Sequence, residues 1–211
     1  MTLTILGAQP NAVEMTQATV LFVDLRGYTR LAEQLLPTQV VPLLDEFFTV
    51  LANATEMHGG QVFHMAGDGM MAAFGIRGRV QDGACEALAS GRAMLAGFAP
   101  IAGRWQRELS VDTAIGIGIH LGEVALGLLG PPGRQMPTLI GDTVNVAARL
   151  CSRARAGEVL FSSMVAAALV ADASGTSAGS LPFLQLPPFE LRGRNAPVDV
   201  WCVPAPERLS L

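Results

Sequence analysis

The sequence predicts an α/β domain whose sheet is mixed, with helices packed against it. Short apolar runs typical of buried strands alternate with longer segments of helical periodicity. Two of the connections look like hairpins, which excludes a wholly parallel sheet. The 211 residues suffice for one domain with a real core, and a hydrophobic content of 50% excludes a disordered chain.

Each element follows from a local pattern. An apolar run that ends at Asp24 is typical of a buried strand. Apolar residues recur at helical spacing up to Gly59, which ends the predicted helix. Pro42 fits in this helix only if it lies in the first turn. Residues 1–16 are mixed and polar, so we expect a tail or linker before a domain over 17–211. The other predicted elements, in chain order, are a strand over 18–23, a short helix after 26–29, a helix over 38–57, a hairpin over 62–75, a helix over 81–106, a strand over 111–125, a helix over 142–153, a strand over 158–162, a small-residue loop over 171–180 and a hairpin over 189–203.

The composition excludes several functions. The net charge of −4 offers no basic excess to meet phosphates along a duplex, so no nucleic-acid partner is expected. All 14 basic residues are arginine, so any role usual for lysine must fall to arginine or be absent. The cysteines Cys85, Cys151 and Cys202 lack the spacing of a zinc site. Their odd number and the lack of a signal peptide predict a reduced cytoplasmic compartment, and no apolar run is long enough to span a bilayer.

Two carboxylates stand at the ends of apolar segments. Asp24 ends the first strand, and Asp68 lies at the tip of a hairpin between two glycines. Either alone could be an ordinary cap or turn residue. If the strand lies beside the hairpin, both carboxylates project from one edge of the sheet and repel each other unless a cation lies between them. Mg²⁺ or Mn²⁺ suits such oxygen ligands, and two ions about 3.5–4 Å apart can clamp a phosphoryl displacement.

The turn after the first strand offers a place for phosphates. Gly27 starts a short helix through Tyr28 and Thr29, whose free N–H groups could hold a polyphosphate. The chain contains no P-loop sequence. This turn therefore fits beside the predicted metal site as a phosphate-binding segment.

A second polar cluster lies in the segment LIGDTVNVAARL, residues 139–150. Asn145 and Arg149 are four residues apart and share one face of the predicted helix, with Asp142 near its start. Such a face could be an ordinary solvated one. Apolar residues flank it, however, which favours an interface.

These segments resemble the class III nucleotidyl cyclases, the adenylate and guanylate cyclase catalytic domain. Five matches in the family's order make the resemblance specific, although each alone is weak, and it implies a largely antiparallel sheet with a ferredoxin-like βαββαβ core. The matches cover roughly residues 14 to 204 and are FVDLRGYT at 22–29, GDG at 67–69 with AFG at 73–75, GIHLGE at 118–123, GD at 141–142 with VN at 144–145 and AR at 148–149, and LRG at 191–193.

The resemblance implies a role for each matching residue. Asp24 and Asp68 match the two metal-binding aspartates, with the Leu25 carbonyl as a further ligand for two Mg²⁺ or Mn²⁺ ions per site. Asn145 matches the residue that orients the ribose, and Arg149 matches the arginine that stabilises charge on the α-phosphate.

Three further positions match residues that contact the substrate. Asp142 and His64 fall on the two purine-reading positions, the second of which is usually lysine in adenylate cyclases and glutamate in guanylate cyclases. Arg192 falls where a lysine commonly binds the terminal phosphates. Two departures are Gly116, where a phosphate-binding arginine is often found, and Leu128, which replaces a frequent asparagine.

The implied reaction is intramolecular. The ribose 3′-OH attacks the α-phosphate, pyrophosphate leaves and a 3′,5′-cyclic nucleotide forms. In the family each site lies between two subunits arranged head to tail, so the resemblance implies a homodimer in which one chain supplies the aspartates and the other the remaining residues. Such domains are commonly the output end of longer sensors, so an upstream regulatory domain is a possible partner.

The purine-reading pair favours ATP as the substrate. An ionised Asp142 can only accept hydrogen bonds, which suits the 6-amino group of adenine, and His64 can donate to N1. The preference should be looser than with lysine, because a neutral imidazole also exposes an acceptor. His64 could alternatively be a bystander packed in the hairpin arm.

Three other functions compete with an ATP-preferring cyclase. The first is a non-catalytic relative that binds a nucleotide or acts as a dimerisation or regulatory module, against which the retained Asp24, Asp68, Asn145 and Arg149 speak. The second is a diguanylate-cyclase-type enzyme, whose signature is missing. The third is a polymerase palm, for which 211 residues with net negative charge leave no template channel. A cyclase with relaxed ATP/GTP specificity also remains open.

Overall fold

The computed structural model describes residues 13–76, 78–173, 183–191 and 196–205. In these ranges eight strands form one sheet, and five helices accompany it. The strands are β1 (Glu14–Arg26), β2 (Gln61–Ala66), β3 (Gly69–Phe74), β4 (Ala114–Leu129), β5 (Met136–Ile140), β6 (Val159–Ser162), β7 (Leu184–Phe189) and β8 (Val198–Val203). The helices are α1 (Tyr28–Gln34), α2 (Pro37–Met57), α3 (Val80–Leu109), α4 (Asp142–Arg153) and α5 (Ser163–Ala173).

The sheet is mixed and largely antiparallel, which confirms the predicted fold class. Its strand order is β2-β3-β1-β4-β6-β8-β7, with β5 paired to β4. Among the pairings of the described residues, only β4 with β6 is parallel. From β1 to β4 the chain follows a βαββαβ path with the strand order β4-β1-β3-β2, which is the ferredoxin-like core.

The two faces of the sheet bury different residues because side chains alternate along a strand. On one face Leu21 and Val23 of β1 belong to the main core, which includes residues of α2 and α3 and the edge-to-face ring pair Phe98 and Trp105. On the other face Val20 belongs to a smaller core that is shared with α4. Residues of β1 with even numbers, as far as the strand's end, therefore lie on the α4 face.

Helix α4 packs directly on β4 because glycines interrupt the side chains of that strand. A Cβ atom on Gly118 would overlap the main chain of α4 at Cys151 N and Ala147 O. A Cβ on Gly122 would lie 2.6 Å from Thr143 Oγ1. At Gly118 the helix and the strand thus meet main chain to main chain, and at Gly122 the side chain of Thr143 fills the space.

The variant Gly118→Ala tests this close packing. It should lower the free energy of unfolding by about 3 kcal/mol, since the added methyl must displace main chain. Denaturant unfolding measures the effect. Gly78→Ala is the matched control, because no atom lies within 4 Å of the added Cβ, and its change should stay within about 0.5 kcal/mol. Equal stability of the two variants would contradict the packing described.

The structure differs from the sequence prediction at several places, among them the final hairpin, whose first strand β7 ends at Phe189 where it was expected to begin. Pro42 is the sixth residue of α2 and lies beyond its first turn, so the expectation for it was wrong. The carbonyl of Thr38 loses a partner there, but Thr38 is exposed and water can take the bond. Strand β5 and helix α5 were not predicted, and α5 takes the first three residues of the predicted loop over 171–180, the rest of which lies outside the described residues.

Candidate active site

The carboxylates Asp24 and Asp68 lie at one edge of the sheet. Asp24 is paired with Gly69 in the antiparallel register of β1 and β3. The Leu25 N–H donates to the Asp68 carbonyl at 3.0 Å, so the hairpin tip is fixed to the end of β1. Gly67 has a φ of 59°, a left-handed conformation that suits glycine in this tight turn. The strand and the hairpin are therefore neighbours, as a paired-carboxylate site requires.

The electrostatics of Asp24 fit a cation-binding role. Burial raises the pKa of this carboxyl above its ordinary value, and the negative charge of Asp68 raises it further. The neighbouring Arg26 opposes both effects. An ionised Asp24 is thus under-compensated, and a divalent cation near both carboxylates would relieve this.

The donor set suits a hard cation such as Mg²⁺ or Mn²⁺. Two carboxylates and the nearby Leu25 carbonyl offer only oxygen ligands. The described residues contain no group of three or more His, Cys, Asp or Glu side chains that could hold a metal alone. Any ion here must complete its coordination with water or substrate oxygens, as catalytic magnesium usually does.

Arg26 is a site residue that the sequence analysis did not single out. Its guanidinium forms an ion pair with Asp24 and lies over Gly116, where an added Cβ would be 2.9 Å from its Cζ. Strand alternation was the available signal, since residues two apart on β1 share a face. A guanidinium from the neighbouring strand therefore fills the space above Gly116.

The polar face of α4 points away from its own sheet. Asn145 is exposed and Arg149 half-buried, and no hydrogen bond or ion pair of either side chain is seen within the described part of the chain. At about 100° per residue, Asn145 lies on the side of the helix opposite to the buried residues. Those buried residues are Thr143, Val146, Ala147, Leu150 and Cys151.

His64 and Asp142 are both exposed, and they lie on segments that are neighbours in space although distant in sequence. His64 pairs with Met71 across β2 and β3, next to a bulge at Phe63. Asp142 begins α4 two residues after β5, and β5 contacts β2. One chain thus places both predicted purine readers near the same strand contact, on the sheet face that carries α4.

The remaining predicted residues differ in their surroundings. Gly27 precedes α1 with a φ of 89°, and an added Cβ would overlap the Asp112 carbonyl, so this position requires glycine. Tyr28 is partly buried against the main core, and Thr29 is exposed. Arg192 lies outside the described residues.

The fold matches solved cyclase structures. It superposes on the adenylyl cyclase CyaB from P. aeruginosa with a TM-score of 0.83 and 25% identity, over 90% of this chain and 95% of that one. It superposes on the guanylyl cyclase Cya2 with a TM-score of 0.77 and 29% identity, over 91% of this chain and 93% of that one. The fold and the paired carboxylates define a class III nucleotidyl cyclase domain. The chain belongs to the adenylate and guanylate cyclase catalytic domain family, whose model matches residues 11–202.

Curated relatives are longer than this chain. The uncharacterized protein Rv1319c of Mycobacterium tuberculosis is 36% identical over 142 residues, which are 67% of this chain and 25% of the relative. The uncharacterized protein Rv1318c of the same organism is 35% identical over 151 residues, 71% of this chain and 26% of the relative. The chain thus spans about a quarter of the length of these relatives. No helix in the described ranges combines the length and apolar character needed to cross a membrane.

Proposed function

We propose that this domain is an adenylate cyclase, which converts ATP to 3′,5′-cyclic AMP and pyrophosphate at sites shared by two copies of the chain arranged head to tail. The observation that carries the proposal is the division of the site residues. Asp24 and Asp68 lie at the sheet edge, whereas Asn145 and Arg149 project from α4 away from that sheet. A second copy, arranged head to tail, would bring the two sets together.

Exposed apolar side chains support the shared site. Met65 is 42% exposed on β2, next to His64. Leu129 and Met136, which flank the loop of the β4–β5 hairpin, are 63% and 61% exposed, and Ile140 at the end of β5 is 54% exposed. Exposed apolar residues on contacting strands are typical of a surface that another protein covers. A second copy would bury them while it completes the site.

The carboxylates of Asp24 and Asp68 would hold two divalent cations. When bound, Mg²⁺ or Mn²⁺ lowers the pKa of the attacking 3′-OH and neutralises phosphate charge. The Leu25 carbonyl is a further oxygen ligand. The cations also let both carboxylates be ionised together, which their mutual repulsion otherwise opposes.

Residues of α4 from the other copy would act on the sugar and the α-phosphate. Asn145 would orient the ribose by hydrogen bonding, so that the 3′-OH lies in line for attack. Arg149 would stabilise the charge that develops on the α-phosphate oxygens in the transition state. Both side chains are available to the substrate, because neither forms a hydrogen bond or ion pair with another described residue of its own chain.

The exposed pair of His64 and Asp142 would read the base. The carboxylate suits the amino group of adenine and would face the O6 acceptor of guanine. Family members of both specificities share this fold, since CyaB is an adenylyl and Cya2 a guanylyl cyclase. The preference for ATP therefore depends on these two side chains.

Incubation with each nucleotide tests the function. The purified chain is supplied with ATP or GTP and Mn²⁺, and cyclic nucleotides are separated by chromatography. Cyclic AMP as the main product supports the proposal. Similar rates of cyclic GMP and cyclic AMP formation would replace it with a cyclase of relaxed specificity. No product from either nucleotide would favour a nucleotide-binding or dimerisation module.

The variant His64→Lys tests the base reading. Because an ammonium group can donate but never accept, the ratio of kcat/KM for ATP to that for GTP should rise about 10-fold. The matched control is His58→Lys at the end of α2, where the imidazole Nδ1 lies 2.8 Å from the Ala54 carbonyl. His58→Lys should leave the ratio unchanged. An unchanged ratio in His64→Lys as well would remove His64 from the base-reading pair.

A further inference from the structure

Arg26 joins two parts of the domain that contribute to different halves of the proposed site. Its Nη1 donates to Asp24 Oδ2. Its Nε and Nη2 donate to the Ala154 carbonyl at 3.2 and 3.1 Å, and Nη2 also donates to the Cys151 carbonyl. One side chain thus connects the end of β1 to the C-terminal end of α4.

The C-terminal end of α4 binds the positively charged guanidinium of Arg26 strongly. The last carbonyls of a helix lack partners within the helix and carry the negative end of its dipole. Ala154 is the cap residue directly after α4, and Cys151 lies in the last turn of the helix. The planar guanidinium donates to both in fixed directions, and the absent side chain of Gly116 leaves room for it. Arg26 is therefore held by the helix independently of Asp24.

The geometry gives the two carboxylate oxygens of Asp24 different surroundings. Oδ2 accepts from Arg26. Oδ1 is on the hairpin side, 3.7 Å from the position that a Cβ of Gly69 would take, and Gly69 adjoins Asp68. One oxygen is thus occupied by Arg26, and the other faces the hairpin that carries Asp68.

We propose that Arg26 is a positioning residue, which fixes the orientation of Asp24 so that Oδ1 is presented to a divalent cation shared with Asp68. The inference rests on the proposed function, because it requires that these carboxylates bind metal. An exposed ion pair would contribute little to such an orientation. Here the Arg26 and Asp24 side chains are only 25% and 37% exposed, and main-chain carbonyls hold the guanidinium as well.

Metal affinity measured by calorimetry tests the proposal. Mn²⁺ is titrated into the full chain in the presence of 3′-deoxy-ATP, which lacks the attacking hydroxyl and cannot be cyclised. Arg26→Met should weaken Mn²⁺ binding about 10- to 100-fold, the usual effect of losing a residue that orients a metal ligand. The measurement does not depend on turnover.

Two variants separate positioning from charge and from stability. Arg26→Lys keeps the charge, but one ammonium cannot bridge Asp24 and both carbonyls, so Mn²⁺ binding should again weaken. Arg104→Met breaks a comparable ion pair with Glu46, between α3 and α2, and should leave Mn²⁺ affinity unchanged. It therefore controls for a general loss of stability.

The outcomes distinguish this inference from the proposed function. If the parent chain binds no Mn²⁺, or if Asp24→Ala binds it equally well, the metal site itself is wrong. If binding depends on Asp24 but Arg26→Met binds Mn²⁺ as tightly as the parent, or more tightly, Arg26 is only a counter-charge and the inference fails. Full affinity in Arg26→Lys would likewise overturn it, because charge alone would then suffice.

Discussion

Asp24→Ala is expected to reduce cyclic nucleotide formation by at least about 100-fold, the effect of removing one group that stabilises transition-state charge. The variant lacks the Asp24 carboxylate, whose negative charge is fully balanced only when a cation is bound. Initial rates with Mn²⁺ and ATP measure the loss. The fold should persist, because the ionised carboxylate is partly buried beside Asp68 and does not stabilise the metal-free protein.

A thermal unfolding measurement completes this test. Mn²⁺ with 3′-deoxy-ATP should raise the Tm of the parent chain and leave that of Asp24→Ala nearly unchanged, since a ligand stabilises only a protein that binds it. Asp45→Ala, which removes an exposed carboxylate from α2, is the control and should keep full activity. If Asp24→Ala turned over ATP at the parent rate, the paired-carboxylate mechanism would be wrong.

Mixing two inactive variants is expected to restore activity. Asp24→Ala lacks a metal ligand and Arg149→Ala lacks the charge-stabilising arginine, so a dimer of one of each contains one complete site and one doubly defective site. With free exchange of equal amounts, half of the dimers are mixed, and total activity should reach about a quarter of the parent value. Rates measured against the mixing ratio should peak at equal amounts.

A second mixture controls this experiment. Asp24→Ala and Asp68→Ala both damage the metal-binding half, so each site of their mixed dimer contains one defect and no activity should return. Recovery in that mixture, or none with Arg149→Ala after proven subunit exchange, would show that the site is not divided between copies as proposed.

Much of the fold was predictable because its signals are local. The apolar run over 18–23 predicted β1, which extends beyond it at both ends. Helix α4 was predicted with the bounds that the structure shows, residues 142–153. Helix α5 was missed because its own residues are apolar on all sides of the helix, so no amphipathic period marks it. Strand β5 was missed because it is short and its pairing with β4 is a tertiary contact.

The candidate site was predictable residue by residue but not as an arrangement. The spacing of Asn145 and Arg149 showed that they share a helix face, yet which face of α4 meets the sheet depends on the glycines of β4. Arg26 was present in a quoted motif without a role, because its bonds to Ala154 join residues 128 positions apart. Contacts of that range become visible only in the folded chain.

The contact between α4 and the glycines of β4 limits how the enzyme can be regulated. Where the main chains of α4 and β4 are in contact at Gly118, the helix has no room to slide along the strand, since packed interiors do not deform continuously. Asn145 and Arg149 are consequently carried by a helix that is packed closely on the sheet of its own subunit. In the proposed head-to-tail dimer, a sensor would therefore change activity by rotating one whole subunit relative to the other.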